Sequence, residues 1–198
     1  ATVFEKLENE WNELLSRSLT NTPFQRAEFQ CIWWKHLGRG ELCVLTMRDE
    51  NEKLIAIAPL FVDDGEILRW VGGEEIADYL DVIAPADQMD AAIRAMWGFL
   101  KSAAPPKWSQ AILSNIPEWT PTPNILKSLA VESGMKAEVT QIDVCPIVSL
   151  PDSFEAYLQH IDKKQRHEIN RKLRRAEGGE DKVTWYIVDS SRDIDSET

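Results

Sequence analysis

The sequence predicts an α/β (α+β) protein: a mixed, mainly antiparallel sheet flanked by helices, followed by the first helix and strand of a second domain. Three observations carry this. Apolar residues recur at helical spacing over 3–19, 22–37, 87–103 and 124–133. Between 42 and 71 the pattern changes to extended apolar runs cut by turn residues. Beyond Pro151 the chain changes character again, passing through a short helix into one dense in Lys and Arg. The predicted domains are 1–150 and 151–198.

The first helix has Phe4, Leu7, Trp11, Leu14, Leu15 and Leu19 on one stripe. Asn21-Thr22-Pro23 ends it and starts the next helix. There Thr22 is the expected N-cap, Pro23 the first helical residue and Gln25 the partner in a capping box. Phe29, Ile32, Trp33 and Leu37 form its apolar side, and Gly38 and Gly40 close it. Strands are expected at 42–48, 53–62 and 66–71, joined by Asp49-Glu50-Asn51-Glu52 and Asp63-Asp64-Gly65 as an antiparallel meander. The almost wholly apolar run from Ile55 to Phe61 predicts burial on both faces.

Residues 78–84 read as a further short strand. Asp87 caps a helix over 87–103, with Ala92, Met96, Phe99 and Leu100 as its stripe, and Pro105-Pro106 stops it. A strand at 111–116, a Pro-rich loop, a helix at 124–133 closed by Gly134, and an extended stretch at 138–150 complete the predicted domain. Beyond Pro151, Asp152 and Glu155 predict a capping box for a short helix. Asp162 and Gln165 predict another for a helix over 163–176, and 183–188 reads as a strand.

The 198 residues are 43% hydrophobic and 28% charged, enough for a core that needs neither disulfides nor metal. There is no run of about 18 apolar residues and no basic-then-apolar leader, so neither a membrane span nor a signal peptide is expected. Cys31, Cys43 and Cys145 are odd in number and lack metal or redox spacing. The expectation is three free thiols in a reducing cytoplasm. His36, His160 and His167 form no ligand cluster, so no metal is expected.

The net charge is −11, yet residues 163–175 carry seven cations against Glu168, a local +6 that leaves −17 elsewhere. Three readings of this helix stand side by side. It is a solvated face, an anion site using Arg166 and Arg171, or a nucleic-acid helix. The last needs aromatic stacking or a partner motif, neither of which is evident.

Asp78, Tyr79 and Asp81 are the main site candidates. A carboxylate and a phenol edge here can line an acceptor groove and take a proton from an amine. The competing reading is turn chemistry for the aspartates and core packing for the tyrosine. On an extended segment Asp78 and Leu80 face one way, and Tyr79 and Asp81 the other. Trp11, Trp33, Trp70 and Trp97 read as core, whereas Trp119, in the Pro-rich loop, reads as a groove residue. Cys31 and Cys43 are expected to be buried and inert.

The element order, with Thr22-Pro23-Phe24-Gln25, Ile57-Ala58-Pro59-Leu60, Leu68-Arg69-Trp70-Val71-Gly72, Asp78-Tyr79-Leu80-Asp81 and the run from Arg166 to Arg175, resembles the N-terminal half of CelD-like, FemAB-related acyltransferases. Those proteins are built from tandem GNAT-like domains. The resemblance implies a GNAT-like domain over 1–150 and the start of a second over 151–198. It implies acyl transfer from acyl-CoA (acetyl-CoA being the representative donor) or another activated acyl donor to an amine or hydroxyl, the acceptor being a small molecule or a polysaccharide or cell-envelope precursor. The part of the protein in this chain is then expected to supply one wall of the acceptor groove, with Asp78, Tyr79, Asp81, Arg166 and Arg171 as the substrate-binding candidates on the chemistry given above. An active domain of this kind holds the CoA pyrophosphate on an Arg/Gln-x-x-Gly-x-Gly/Ala loop leading into a helix. Gly38-Arg39-Gly40, Gly72-Gly73 and Gly178-Gly179 do not fit that pattern. The expectation is a fragment that is inactive alone, its donor loop lying in a missing C-terminal domain. The rival expectation is a GNAT-like binding module that uses helix 163–175 for an anionic partner.

Overall fold

In the computed structural model the described residues are 2–178, 183, 184 and 186–188. They fold as a mixed α/β protein around a four-stranded sheet, and contacts divide the chain into two compact units, Ala1–Cys145 and Pro146–Thr198.

The first unit starts with α1 (Val3–Ser16). Thr2 caps it by accepting from Glu5 N–H, while the Glu5 carboxylate accepts from Thr2 N–H at 2.7 Å. The next segment departs from the predicted single helix. Pro23–Gln25 forms one 3-10 turn, the backbone extends at Arg26, and α2 (Ala27–Leu37) starts anew. Thr22 makes no side-chain cap and Gln25 builds no capping box. Gln25 is instead fully buried, its side chain committed to a partner far along the chain.

The predicted meander is present as β1 (Glu41–Arg48), β2 (Leu54–Val62) and β3 (Ile67–Trp70), each antiparallel to the one before it. β2 is buried on both faces. Ala56, Ala58, Leu60 and Val62 face a cluster with Met89, Ala92, Ile93 and Met96, and Ile57 and Phe61 face Phe4, Trp11, Leu14 and Leu15. α1 and α2 therefore cover one face of the sheet. α3 (Met89–Leu100) covers the other, with α4 (Thr122–Glu132) against it.

Gly40 sets the entry to β1. Its φ is +87°, and a Cβ there would stand 2.1 Å from the Val62 carbonyl oxygen. Gly40→Ala is expected to cost about 2 kcal/mol or more, because both the left-handed backbone and the fixed carbonyl oppose it. A urea-unfolding midpoint matching the parent's would refute this.

Several predicted elements are shorter than expected or absent. Residues 78–84 form no strand. Only Ile83 bridges β2, exchanging both backbone hydrogen bonds with Ile57 at 2.8 and 2.9 Å. It fills the place beside β2 that β3 leaves after Trp70. The predicted 111–116 strand shrinks to β4 (Gln110–Ala111), parallel to β3. Gln88, not Asp87, precedes α3, without a side-chain cap. Residues 138–150 form no strand among the described residues, and Val139, Ile142, Val144 and Ile147 are exposed rather than buried. Phe99 is also exposed, Cys31 is half-buried, and Trp97 is a half-buried residue donating to Ser133 Oγ. Cys43 is buried, which pushes its thiol pKa up.

The second unit holds α5 (Phe154–His160) and α6 (Lys163–Gly178). Ser153, not Asp152, caps α5 by accepting from Ala156 N–H. The chain breaks at Ile161, and Asp162 Oδ1 accepts from the Lys164 and Gln165 N–H groups at the start of α6. The strand predicted at 183–188 falls partly outside the described residues. Residues 183, 184 and 186–188 form no strand among the described residues. Among the described residues no helix is long and apolar enough to cross a membrane.

Candidate functional site

After β3 the chain leaves the sheet at Gly72, whose φ of +121° lets the backbone pass 2.7 Å (from a would-be Cβ) beneath the Leu80 side chain. The loop that follows is stitched to a second loop. Asn115, itself in left-handed backbone at φ +61°, donates from Nδ2 to the carbonyls of Glu74 and Ala77. Its own carbonyl accepts from Leu80 N–H at 2.9 Å, and the Ser114 hydroxyl donates to Glu74 Oε2.

Asp81 comes next, and it lines no groove. Its side chain points into the protein and the residue is only 1% exposed. Oδ1 accepts from the Thr122 hydroxyl and from Val82 N–H, both at 2.7 Å. Its backbone carbonyl accepts from Gln25 Nε2 at 2.8 Å, and the Gln25 carbonyl in turn accepts from Trp11 Nε1 at 2.8 Å. Oδ2 has no partner of hydrogen-bond geometry among the described residues, since the Thr120 hydroxyl beside it donates to the Pro117 carbonyl. Burial pushes the Asp81 pKa up to about 6, against the opposing pull of the Thr122 and Thr120 hydroxyls and Val82 N–H.

The expected alternation fails for the same reason. Leu80 and Asp81 both turn inward, because Leu80 is tied to Asn115 and Asp81 to Thr122. The Asp81–Thr122 bond clamps together the two segments that carry the neighbouring aromatic rings. Tyr79 precedes Asp81 by two residues and Trp119 precedes Thr122 by three. The two rings meet with centroids 5.5 Å apart and planes at 56°, and Trp119 is 57% exposed. Asp78 and Glu118 stand exposed beside them in sequence. The Cys145 thiol and then burial raise the Tyr79 pKa, and the Asp78 charge adds to this. The phenol therefore stays protonated at neutral pH and is available as a hydrogen-bond donor.

Asp78, Tyr79 and Trp119 thus form one surface of the first unit, and Asp81 holds it from beneath. Arg166 and Arg171 belong to the second unit. Arg166 Nη1 donates to Gln159 Oε1, and Arg171 makes two bonds to Glu168 at 2.7 and 2.9 Å. Both guanidinium groups already have partners. The cations of α6 without an ion-pair partner among the described residues include Lys163, Lys164, Arg174 and Arg175, all exposed. Elsewhere in the first unit an apolar groove of about 360 Å³ runs between the sheet and α3, lined by residues such as Met47, Ala58, Val82, Met96 and Phe99. It has no titratable group, so it offers no proton-transfer chemistry. Among the described residues no cluster of three His, Cys, Asp or Glu side chains is placed to hold a metal.

Sequence reasoning missed Gln25, Asn115 and Thr122. One signal was present: a carboxylate inside the apolar run Leu80-Asp81-Val82-Ile83-Ala84 must find buried partners.

No family model, curated protein or solved structure matches this chain.

Proposed function

We propose that this chain is the acceptor-side part of a GNAT-like acyltransferase, which moves an acyl group from acyl-CoA to an amine or hydroxyl. The observation that carries the reading is the pair of half-buried Tyr79 and exposed Trp119, clamped through buried Asp81 and flanked by Asp78. Such chemistry needs chiefly a fixed acceptor near the thioester and a group to receive its proton. As the new C–N or C–O bond forms and the thioester C–S bond breaks, the acceptor's proton passes to the Asp78 carboxylate, CoA leaves as its thiolate, and that proton then passes on to the thiolate to give the free thiol. The resemblance of the element order and motifs to tandem GNAT-like proteins supports the donor class. In this reading the CoA pyrophosphate is held by a second domain that residues 151–198 begin.

Calorimetry tests it. Acetyl-CoA titrated into residues 1–198 is expected to give no binding heat, whereas the full-length gene product binds it. No binding by either would sink the acetyl-CoA reading.

A second reading rests on α6. Lys163, Lys164, Arg174 and Arg175 fall within one arc of about 120° on the helix surface, exposed and without ion-pair partners among the described residues. That arc suits an anionic partner, held by contacts that weaken with salt.

A further inference from the structure

We infer that the Tyr79–Trp119 surface binds an organic ammonium group. This deepens the acyl-transfer reading by naming an amine-bearing acceptor, and it rests on that reading only for what happens after binding.

The two rings meet at 56° and so form a corner rather than a stack. The indole is left 57% exposed. An exposed tryptophan usually costs little, but this one is carried by a loop pinned beneath by the Asp81–Thr122 bond and alongside by Asn115. The rings are thus a fixed platform, which limits the entropy lost when a ligand settles on them. Their electron-rich faces attract cations.

The surrounding charge has one sign. Glu74, Glu75, Asp78 and Glu118 lie on the two loops, and no Lys or Arg occurs between Trp70 and Ile93 or between Trp108 and Leu126. Glu74 is bonded to Ser114, while Glu75, Asp78 and Glu118 are exposed and have no ion pair among the described residues. The Asp78 carboxylate is close enough to the Tyr79 hydroxyl to act on it. An anion would be repelled here, and an uncharged apolar ligand would gain nothing from the carboxylates. An alkylammonium gains from both the rings and the charges.

Choline and its uncharged carbon isostere, 3,3-dimethyl-1-butanol, separate these cases. Each is titrated into the protein while the indole N–H resonances are followed by NMR. The Trp119 resonance is identified by its absence from the Trp119→Ala spectrum. Choline is expected to shift that resonance with millimolar affinity, and the isostere to bind at least about tenfold more weakly. Asp78→Asn, and separately Trp119→Ala read on the remaining shifted resonances, are each expected to weaken choline at least about fivefold. Tyr79→Phe keeps the ring and is expected to stay within about twofold. Circular dichroism confirms that each variant folds.

Equal binding of the isostere would overturn the inference, as would choline binding unaffected by Trp119→Ala or no shift at about 50 mM choline. Choline binding without acyl transfer by the full-length gene product would sink the acyl reading alone. Acyl transfer without choline binding would sink this inference alone.

Discussion

Trp11→Ala is expected to lower stability by about 4 kcal/mol. Trp11 is fully buried against Phe4, with ring centroids 5.6 Å apart. Truncation leaves a cavity between α1 and the sheet. It also removes the N–H that holds the Gln25 carbonyl, so a buried acceptor loses its partner. The damage travels further, because Gln25 is the residue that grips the Asp81 backbone. Urea unfolding measures the loss. Trp11→Phe separates the two contributions, since it refills most of the volume and forfeits only the hydrogen bond, costing about 1 kcal/mol beyond any packing change. A midpoint for Trp11→Ala within about 1 kcal/mol of the parent's would contradict this account of the core.

Asp81→Asn is expected to change how stability depends on pH. The folded protein holds the Asp81 proton up to about pH 6, whereas an unfolded chain releases it near pH 4. Between those values the folded state binds more protons. Stability therefore falls as pH rises through the window, by on the order of 3 kcal/mol, and levels off above it. Asparagine removes this slope while keeping an oxygen to accept from Thr122 and Val82. Glu28 has the opposite sign. Its bond to Arg26, aided by its own backbone N–H, lowers its pKa to about 2, so its contribution is lost as pH falls from about 4.5 through 2. Because that window is separate, and because Glu28 is common to both proteins, the difference between the two profiles isolates Asp81. Parallel profiles from pH 4 to 7 would show that Asp81 is ionised in the fold and that its burial is compensated.

The meander was legible because its cause is local. Extended apolar runs and the turn residues Asp49-Glu50-Asn51-Glu52 and Asp63-Asp64-Gly65 suffice to set β1 to β3. Gln25 was misread because Thr-Pro-Phe-Gln is a good helix start on its own terms. Its real partner, the Asp81 carbonyl, lies 56 residues away, and burial outweighs the cap. Residues 78–84 had the apolar content of a strand but not its pairing. Only Ile83 bridges a strand among the described residues, since Asn115 holds the Leu80 N–H and Thr122 the Asp81 side chain before it. In the site, Tyr79 and Trp119 were each marked by residue type. Their meeting depended on a buried hydrogen bond that no spacing along the chain encodes. Arg166 and Arg171 stand out in the sequence by charge alone, and charge does not reveal that Gln159 and Glu168 already occupy them.

The clamp also places the aromatic surface late in assembly. β1, β2 and β3 close through short turns, so their ladder can form while most of the chain is still loose. Joining Asp81 to Thr122 requires a closure across 41 residues, whose entropy is repaid only once α3 and α4 have docked. The amides of Leu80 and Val82 should accordingly exchange with solvent through a smaller opening than those at the centre of β2. The surface that meets a ligand would then sit on a part of the unit that opens more readily than the centre of the sheet, though it is fixed while closed. A ligand settling there would hold that part closed, and its binding would be felt as slower exchange well before any rise in global stability.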